Sequence, residues 1–173
     1  MEVRTSFVRV YQQELENKEI GFYSKIRRVI DFIISLLSLV IVIPIILITS
    51  IFIMLESPGN PFYVQSRMDL MGKEFNLIKL RSMRTDAEKN GAQWADKNDP
   101  RITKVGRFIR KTRIDELPQI FNVLKGDMSI IGPRPERKIF VEEFVKYIPV
   151  FPKRLEVKPG LTGWAQVNGG YEI

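Results

Sequence analysis

Val29 to Leu55 reads VIDFIISLLSLVIVIPIILITSIFIML, nearly all apolar, with one acid, Asp31, and one proline, Pro44. A bilayer core takes about 20 apolar residues as a helix, so the stretch is long enough to cross. It starts too late and runs too long for a secretory signal, and no small-residue cleavage site follows it. Its length and all-round hydrophobicity favour a membrane helix over a buried core helix.

Two features argue against a plain crossing. Pro44 lies near the centre, where it removes a helix hydrogen bond and bends the axis, leaving two halves each too short to span. Both flanks are basic: Lys25, Arg27 and Arg28 before, and Arg67, Lys73, Lys79, Arg81 and Arg84 after. Positive charge favours the cytoplasmic side. A helix that enters, breaks at Pro44 and returns keeps both flanks there. Asp31 follows Arg27 by one turn and is placed to pair with it.

The rest of the chain reads as a small mixed domain. ESPGNP (Glu56–Pro61) is a turn signal. FYVQSRM and KEFNLIKLRSM alternate as two strands around DLMGK. Thr85–Pro100, which holds Trp94, reads as a helix start followed by a loop. KVGRFIRKTR and DELPQIFNVLKG read as helices, the second capped by Asp115, with Pro118 in its first turn and Gly126 at its end. MSIIGPRP is a strand-like run into a stiff turn, ERKIFVEEFVKYI an amphipathic helix, and KPGLTGWAQVNGG a glycine-punctuated loop. The expected fold is α+β: a β-hairpin and several helices anchored by a proline-broken re-entrant membrane helix hairpin. The expected parts are a polar lead-in over 1–24, the membrane segment over 25–56 and a cytoplasmic catalytic domain over 57–173.

Composition narrows the chemistry. The 173 residues carry a formal charge of +7, with no cysteine and no histidine. A basic surface expects an anionic partner. Without thiolate or imidazole, catalysis falls to carboxylates, lysine, hydroxyls or backbone. A metal held by such ligands is hard and oxygen-loving, Mg²⁺ first.

RIDELPQ (Arg113–Gln119) sets Asp115 and Glu116 at the end of a run holding Arg101, Lys104, Arg107, Arg110, Lys111 and Arg113. The bland role for the pair is a helix cap and a favourable first-turn charge, worth about 0.3–1 kcal/mol. The neighbours argue for more. Arg134 follows between two prolines, and guanidinium groups and helix N-termini bind phosphate. A carboxylate beside bound phosphate is repelled unless a cation intervenes or it attacks, and both conditions suit phosphoryl transfer.

RIDELPQIFNVLKGDMSIIGPRP, KLRSM and KPGLTGWAQVNG, in order behind a proline-bearing apolar segment, resemble the signature segments of the bacterial sugar transferase family, over about Lys25 to Gly169. These are monotopic polyprenyl-phosphate phosphoglycosyl transferases that start surface-polysaccharide and glycoprotein glycans on the cytoplasmic face of the bacterial plasma membrane. The resemblance implies transfer of a sugar-1-phosphate from a UDP-sugar to undecaprenyl phosphate through a covalent aspartyl intermediate. It makes Asp115 the nucleophile and Mg²⁺ ligand, with Glu116 supporting metal or proton handling. Arg110 and Arg134 match phosphate-binding arginines, and Lys79 and Arg81 are expected in the same pocket, with a solvated strand face as the alternative. Arg67 falls in the family's Arg-x-Gly turn, which here reads Arg67-Met68-Asp69. Ile43 stands before Pro44 where the family commonly has serine, and Leu80 where phenylalanine is usual.

The family's chains usually continue beyond the segment matching WAQVNGG, so the domain is expected to be C-terminally incomplete. Trp164 and Gln166 read as loop packing rather than sugar contact. Expected partners are the UDP-sugar, undecaprenyl phosphate and membrane lipid, not nucleic acid, because stacking aromatics do not interleave with the cations; a homo-oligomer is left open. The alternatives are a non-catalytic membrane-bound scaffold and a basic lipid- or nucleic-acid-binding module.

Overall fold

A computed structural model describes residues 22–89 and 99–168. The lead-in over 1–21 and Trp94 lie outside the described residues. Mixed helix and strand is what the chain forms.

The apolar stretch is one helix, α1 (Phe22–Glu56), with Pro44 inside it. Its 35 residues would measure about 52 Å if straight. Asp31, Ser35, Val42, Ile46, Thr49, Ser50 and Ile53 form one buried stripe at helical spacing. Val42, Ile46 and Ile53 pack against Leu80, Ile109 and Ile120 of the folded body. Leu37, Val40, Ile41 and Leu55 are exposed on the other sides. Among the described residues this is the one helix long and apolar enough to cross a membrane.

The expected hairpin forms. β1 (Phe62–Met68) pairs antiparallel with β2 (Glu74–Leu80), from Phe62 opposite Leu80 to Met68 opposite Glu74. A 3₁₀ turn (Leu70–Gly72) joins them. Gly72 adopts φ +68°, a conformation glycine takes at no steric cost. Period-two alternation and this register place Tyr63, Gln65, Arg67 and Lys79 on one face. Phe75 and Leu77 share it and pack against Val123 and Met128.

α2 (Lys104–Thr112) begins where the Thr103 hydroxyl accepts from the Gly106 N–H at 2.9 Å. Glu56, the last residue of α1, supplies a second cap: its carboxylate accepts from the Lys104 and Val105 N–H groups at 2.7 and 2.8 Å. A 3₁₀ turn (Ile114–Glu116) leads through Pro118 into α3 (Gln119–Lys125). The buried Asn122 side chain ties α3 to β2. It donates to the Asn76 carbonyl at 2.7 Å and accepts from the Ile78 N–H at 3.1 Å.

The N-terminal end of α1 docks on the far end of α3. Arg28 donates to the carbonyls of Val123 and Leu124, placing a cation at the negative pole of the helix. Asp31 and Arg27 do not pair as expected; both turn to Ser129. The Ser129 hydroxyl donates to Asp31 Oδ2 at 2.6 Å and accepts from Arg27 Nε at 3.0 Å. Asp31 Oδ1 takes the Ile130 N–H at 3.1 Å.

Three further elements depart from expectation. Thr85–Lys89 forms consecutive turns rather than a helix start, with Ala87 and Lys89 donating to the carbonyls of Arg84 and Asp86 at 3.1 Å. The supposed loop after Lys158 holds β4 (Gly160–Thr162) and a short helix α5 (Trp164–Asn168). β4 pairs in parallel with β3 (Ser129–Ile131). That pairing needs glycine: a Cβ on Gly160 would stand 2.0 Å from the Gly132 nitrogen. α4 (Lys138–Phe144) and a 3₁₀ segment (Phe151–Glu156) complete the body, with Val141 and Leu155 packed on Met68.

Candidate active site

The acid pair sits on a strained corner. Arg113 ends α2 at φ +62°, the one non-glycine residue with positive φ among the described residues, at a cost of roughly 1–3 kcal/mol. The chain then turns tightly, with Glu116 and Leu117 donating to the carbonyls of Arg113 and Ile114. Asp115 is therefore not the helix cap expected of it. Pro118 occupies that position, and the Asp115 side chain is drawn inside, leaving 8% of the residue exposed.

Its Oδ1 is buried with no hydrogen-bond partner. Burial pushes the carboxyl up to about 6, and the adjacent charge of Glu116 pushes the same way. The charges of Lys79, Arg110 and Arg113 oppose this. An unsatisfied buried carboxylate costs stability, and such costs cluster where a group must react or bind.

Lys79 reaches this acid from β2. Burial lowers its ammonium to about 8, Arg67 lowers it further and Asp115 holds it up. Its Nζ stands 5.2 Å from the Tyr63 ring centroid, over the face, a favourable cation–π placement. Glu116 is held by two arginines. Its Oε1 accepts from Arg134 Nη1 at 2.9 Å and stands 3.9 Å from Arg113 Nη1. Arg154 donates to the Arg134 carbonyl, so the turn between Pro133 and Pro135 is pinned from below.

Asp115, Glu116, Lys79, Arg110 and Arg134 thus form one electrostatic group. Arg67 borders it in a supporting position. It donates to the Pro135 carbonyl at 3.3 Å, to Glu136 at 3.4 Å and to Gln65 at 2.6 Å, and burial lowers its pKa. Arg81 is buried and turns toward the end of α1, where it donates to the carbonyls of Ser57 and Pro58. Trp164 is 84% exposed and so does not pack as expected, while Gln166 folds back onto the Leu161 carbonyl at 3.2 Å. Sequence reading missed Asn122, which sets the distance between Lys79 on β2 and the acid turn before α3. Its signal was slight: one amide among the apolar positions of a short helix.

Among the described residues no three His, Cys, Asp or Glu side chains converge. Mg²⁺ is commonly held by one or two carboxylates together with substrate phosphates. A single carboxylate with one unpartnered oxygen fits that mode and does not fit a closed protein cage.

A mixed α+β body, a docked helix long and apolar enough to cross a membrane, and a buried acid among cations are the features that mark the class of this protein. The sequence pattern of the bacterial sugar transferase family matches residues 22–173, and the chain belongs to that family. A Bacillus subtilis (strain 168) protein, provisionally named an undecaprenyl-phosphate N-acetylgalactosaminyl 1-phosphate transferase, is 59% identical over 133 residues, 77% of this chain and 74% of its own length. An Aeromonas hydrophila protein named UDP-N-acetylgalactosamine-undecaprenyl-phosphate N-acetylgalactosaminephosphotransferase is 48% identical over 149 residues, 86% of this chain. The Escherichia coli (strain K12) UDP-glucose:undecaprenyl-phosphate glucose-1-phosphate transferase is 41% identical over 149 residues, also 86% of this chain. The matched parts make up 35% and 32% of those two longer proteins.

Proposed function

We propose that this protein transfers a sugar-1-phosphate from a UDP-sugar to undecaprenyl phosphate, with Asp115 as nucleophile. The observation that carries the reading is the unpartnered Oδ1 of a buried aspartate facing three cations. An Asp115 oxygen attacks the β-phosphorus, the bond to the bridging oxygen breaks, and UMP leaves with it. The covalent phosphosugar is then attacked at phosphorus by an oxygen of the lipid phosphate. The aspartyl–phosphorus bond breaks, the carboxylate is restored and the sugar remains on a lipid diphosphate. Arg110, Arg134 and Lys79 neutralise the diphosphate and the charge gathering on UMP. Glu116 fixes Arg134 at the anion site. Mg²⁺ bound through Asp115 would supply further charge neutralisation on the phosphates. The family resemblance and the names of the relatives support the donor and acceptor classes.

We also propose that α1 is re-entrant and that the body lies on the cytoplasmic face. Arg27, Arg28 and Asp31 at one end and Glu56 at the other all bind the same body. A straight crossing would separate those ends by a hydrocarbon layer of about 30 Å. The body would then have to pass through that layer to touch both. A bend at Pro44, where one helix hydrogen bond is lost, removes the conflict. The chain has no cysteine, so Ser24→Cys and Asn60→Cys give clean topology probes. An impermeant thiol reagent should label neither from outside intact cells; labelling of one site alone would establish a crossing.

The reaction is tested with the chain in nanodiscs, Mg²⁺, undecaprenyl phosphate and a panel of UDP-sugars, following UMP release. Release with one sugar, and none from Asp115→Asn, is the expected result. Release that survives the substitution would remove Asp115 from the nucleophile's role.

A further inference from the structure

A cleft of about 270 Å³ is lined on one side by Lys79, whose charge acts on Asp115, and the reaction above gives its remaining space no occupant. It lies between the exit of α1 and the turns at Thr85–Lys89. Phe62, Tyr63, Leu80 and Met83 supply the apolar part of its lining, beside Arg81, Ser82 and Glu88, and Lys79 links it to the acid site. We propose that this cleft takes the nucleoside of the nucleotide-sugar donor, with the diphosphate passing over Lys79 toward Asp115 and the sugar lying on the far side of the acid pair. The inference rests on the proposed reaction and deepens it.

Three observations favour a nucleoside there. The first is continuity. Lys79 lines the cleft and also acts on Asp115, so a guest in the cleft places its charged end among Lys79, Arg110 and Arg134. In the donor, one phosphate separates the nucleoside from the phosphorus under attack. The group occupying the space one step from Asp115 past a cation is therefore the nucleoside.

The second is the chemistry of the walls. Flat aromatic rings bind well between apolar and aromatic side chains, whereas a sugar's hydroxyls need a lining rich in unspent polar groups. Two of the cleft's polar lining groups, the Arg81 guanidinium and the Gln65 amide, are already committed, Arg81 to the Ser57 and Pro58 carbonyls. The Gln65 Nε2 donates to the Tyr63 hydroxyl at 3.0 Å and to Glu88 at 3.3 Å, and its Oε1 accepts from Arg67.

The third is rigidity. The Tyr63 ring is fixed by Gln65 at its hydroxyl and by Lys79 over its face. The Ala87 carbonyl accepts from Arg101 at 3.1 Å, and Glu88 accepts from Arg137 at 3.1 Å, so the outer wall is tied to the body. A preformed slot loses little freedom on binding. Its volume, near the lower end of small-molecule pockets, suits one nucleoside and is too small for a polyprenyl chain.

The test uses the full chain in nanodiscs and needs no turnover. UMP and two sugar-1-phosphates, of glucose and of N-acetylgalactosamine, are titrated against the wild type and Ala87→Trp, which fills the cleft from its outer wall. The expected result is at least a tenfold weaker Kd for UMP and a change under twofold for both sugar phosphates. Saturation-transfer NMR on wild-type protein should show the strongest transfer to the uracil H5 and H6 protons. Unchanged UMP affinity in a folded Ala87→Trp protein would overturn the assignment. Weakening confined to the sugar phosphates, or to undecaprenyl phosphate, would reassign the cleft and overturn it too. If Ala87→Trp fails to fold, Met83→Ala and the wild-type proton pattern decide: strongest transfer to the ribose or to sugar protons overturns the assignment. A wild type that binds UMP in this way but releases none from any UDP-sugar would sink the reaction and leave the subsite. Full turnover by Ala87→Trp with unchanged KM would sink the subsite and leave the reaction.

Discussion

Asp31 and Asp115 are almost equally buried, at 7% and 8% exposed, yet they do opposite things. Asp31 sits at the seam between α1 and β3. Both its oxygens are satisfied, by the Ser129 hydroxyl and the Ile130 N–H. Asp115 sits on the corner between α2 and α3 with Oδ1 unpartnered and its carboxyl raised to about 6. Burial is common to both and does not separate them. Satisfaction does: the hydrogen bonds of Asp31 are complete, whereas Asp115 leaves one oxygen without a partner among cations.

The largest effect that would sharpen this contrast is on turnover. Asp115→Asn should lower UMP release by about 10³-fold or more, the scale of losing a nucleophile. Asp31→Asn should leave measurable release in whatever fraction folds. Equal losses from both, with both proteins folded, would break the comparison.

Next comes pH. The nucleophile must be ionised and Lys79 charged, so the rate should rise through about pH 6 and fall above about pH 8. Well below pH 6 each further unit should cost about tenfold. A single ionisation would show that one of the two groups is not needed in that form, and a flat profile over pH 5–9 that neither is.

Stability should move in opposite directions. Asp31→Ala leaves the Ser129 hydroxyl and Ile130 N–H without their acceptor, a loss of about 1–3 kcal/mol. For Asp115 the folded value, about 6, lies above the ordinary 3.8. The folded chain therefore binds more protons than the unfolded one between those values, and stability falls as pH rises through that window. Asp115→Asn removes this penalty, so the variant should gain about 1–3 kcal/mol at pH 7. The gain should fade toward pH 4. Chemical denaturation at both pH values checks it, and a destabilised Asp115→Asn at pH 7 would contradict the view that this acid is held at a cost.

The smallest effect concerns Glu116. Glu116→Gln keeps a hydrogen-bond acceptor for Arg134 but loses charge assistance, worth about 1 kcal/mol. The expected signature is a modest rise in KM for the UDP-sugar with kcat nearly kept. A loss in kcat as large as that of Asp115→Asn would give Glu116 a direct part in the chemistry.

The parts of this molecule that were legible in sequence are those whose signal is local. FYVQSRM and KEFNLIKL alternate, so the hairpin and its inner-face Lys79 follow from period two. The apolar run is a helix by length alone, and two acids amid cations mark the candidate site before any contact is known. What was not legible depends on distant partners. GLTGWAQVN shows no strand pattern, because β4 exists by pairing with β3 through Gly132 and Gly160. Period two also puts Arg81 on the same side as Lys79, and both line one cleft, but its bonds to the Ser57 and Pro58 carbonyls just after α1 come only from the tertiary fold. The capping reading of Asp115 failed because the positive φ of Arg113 shortened α2 and a 3₁₀ turn follows it, so the cap of α3 falls at Pro118 and its first residue at Gln119.

α3 is held at both ends by different tasks: Arg28 of α1 grips its last carbonyls, and the acid turn immediately precedes its first residue. Seven residues of helix rise only about 10 Å. On the proposed topology Arg28 rides at the lipid headgroups, so α3 spaces the Asp115 turn from that level by no more than its own length. A lipid phosphate need not be lifted out of its leaflet to reach it. Lengthening α3 by one turn would move the acid turn up to about 5 Å further from Arg28, and on the proposed reaction the lipid-dependent second half should slow more than the first.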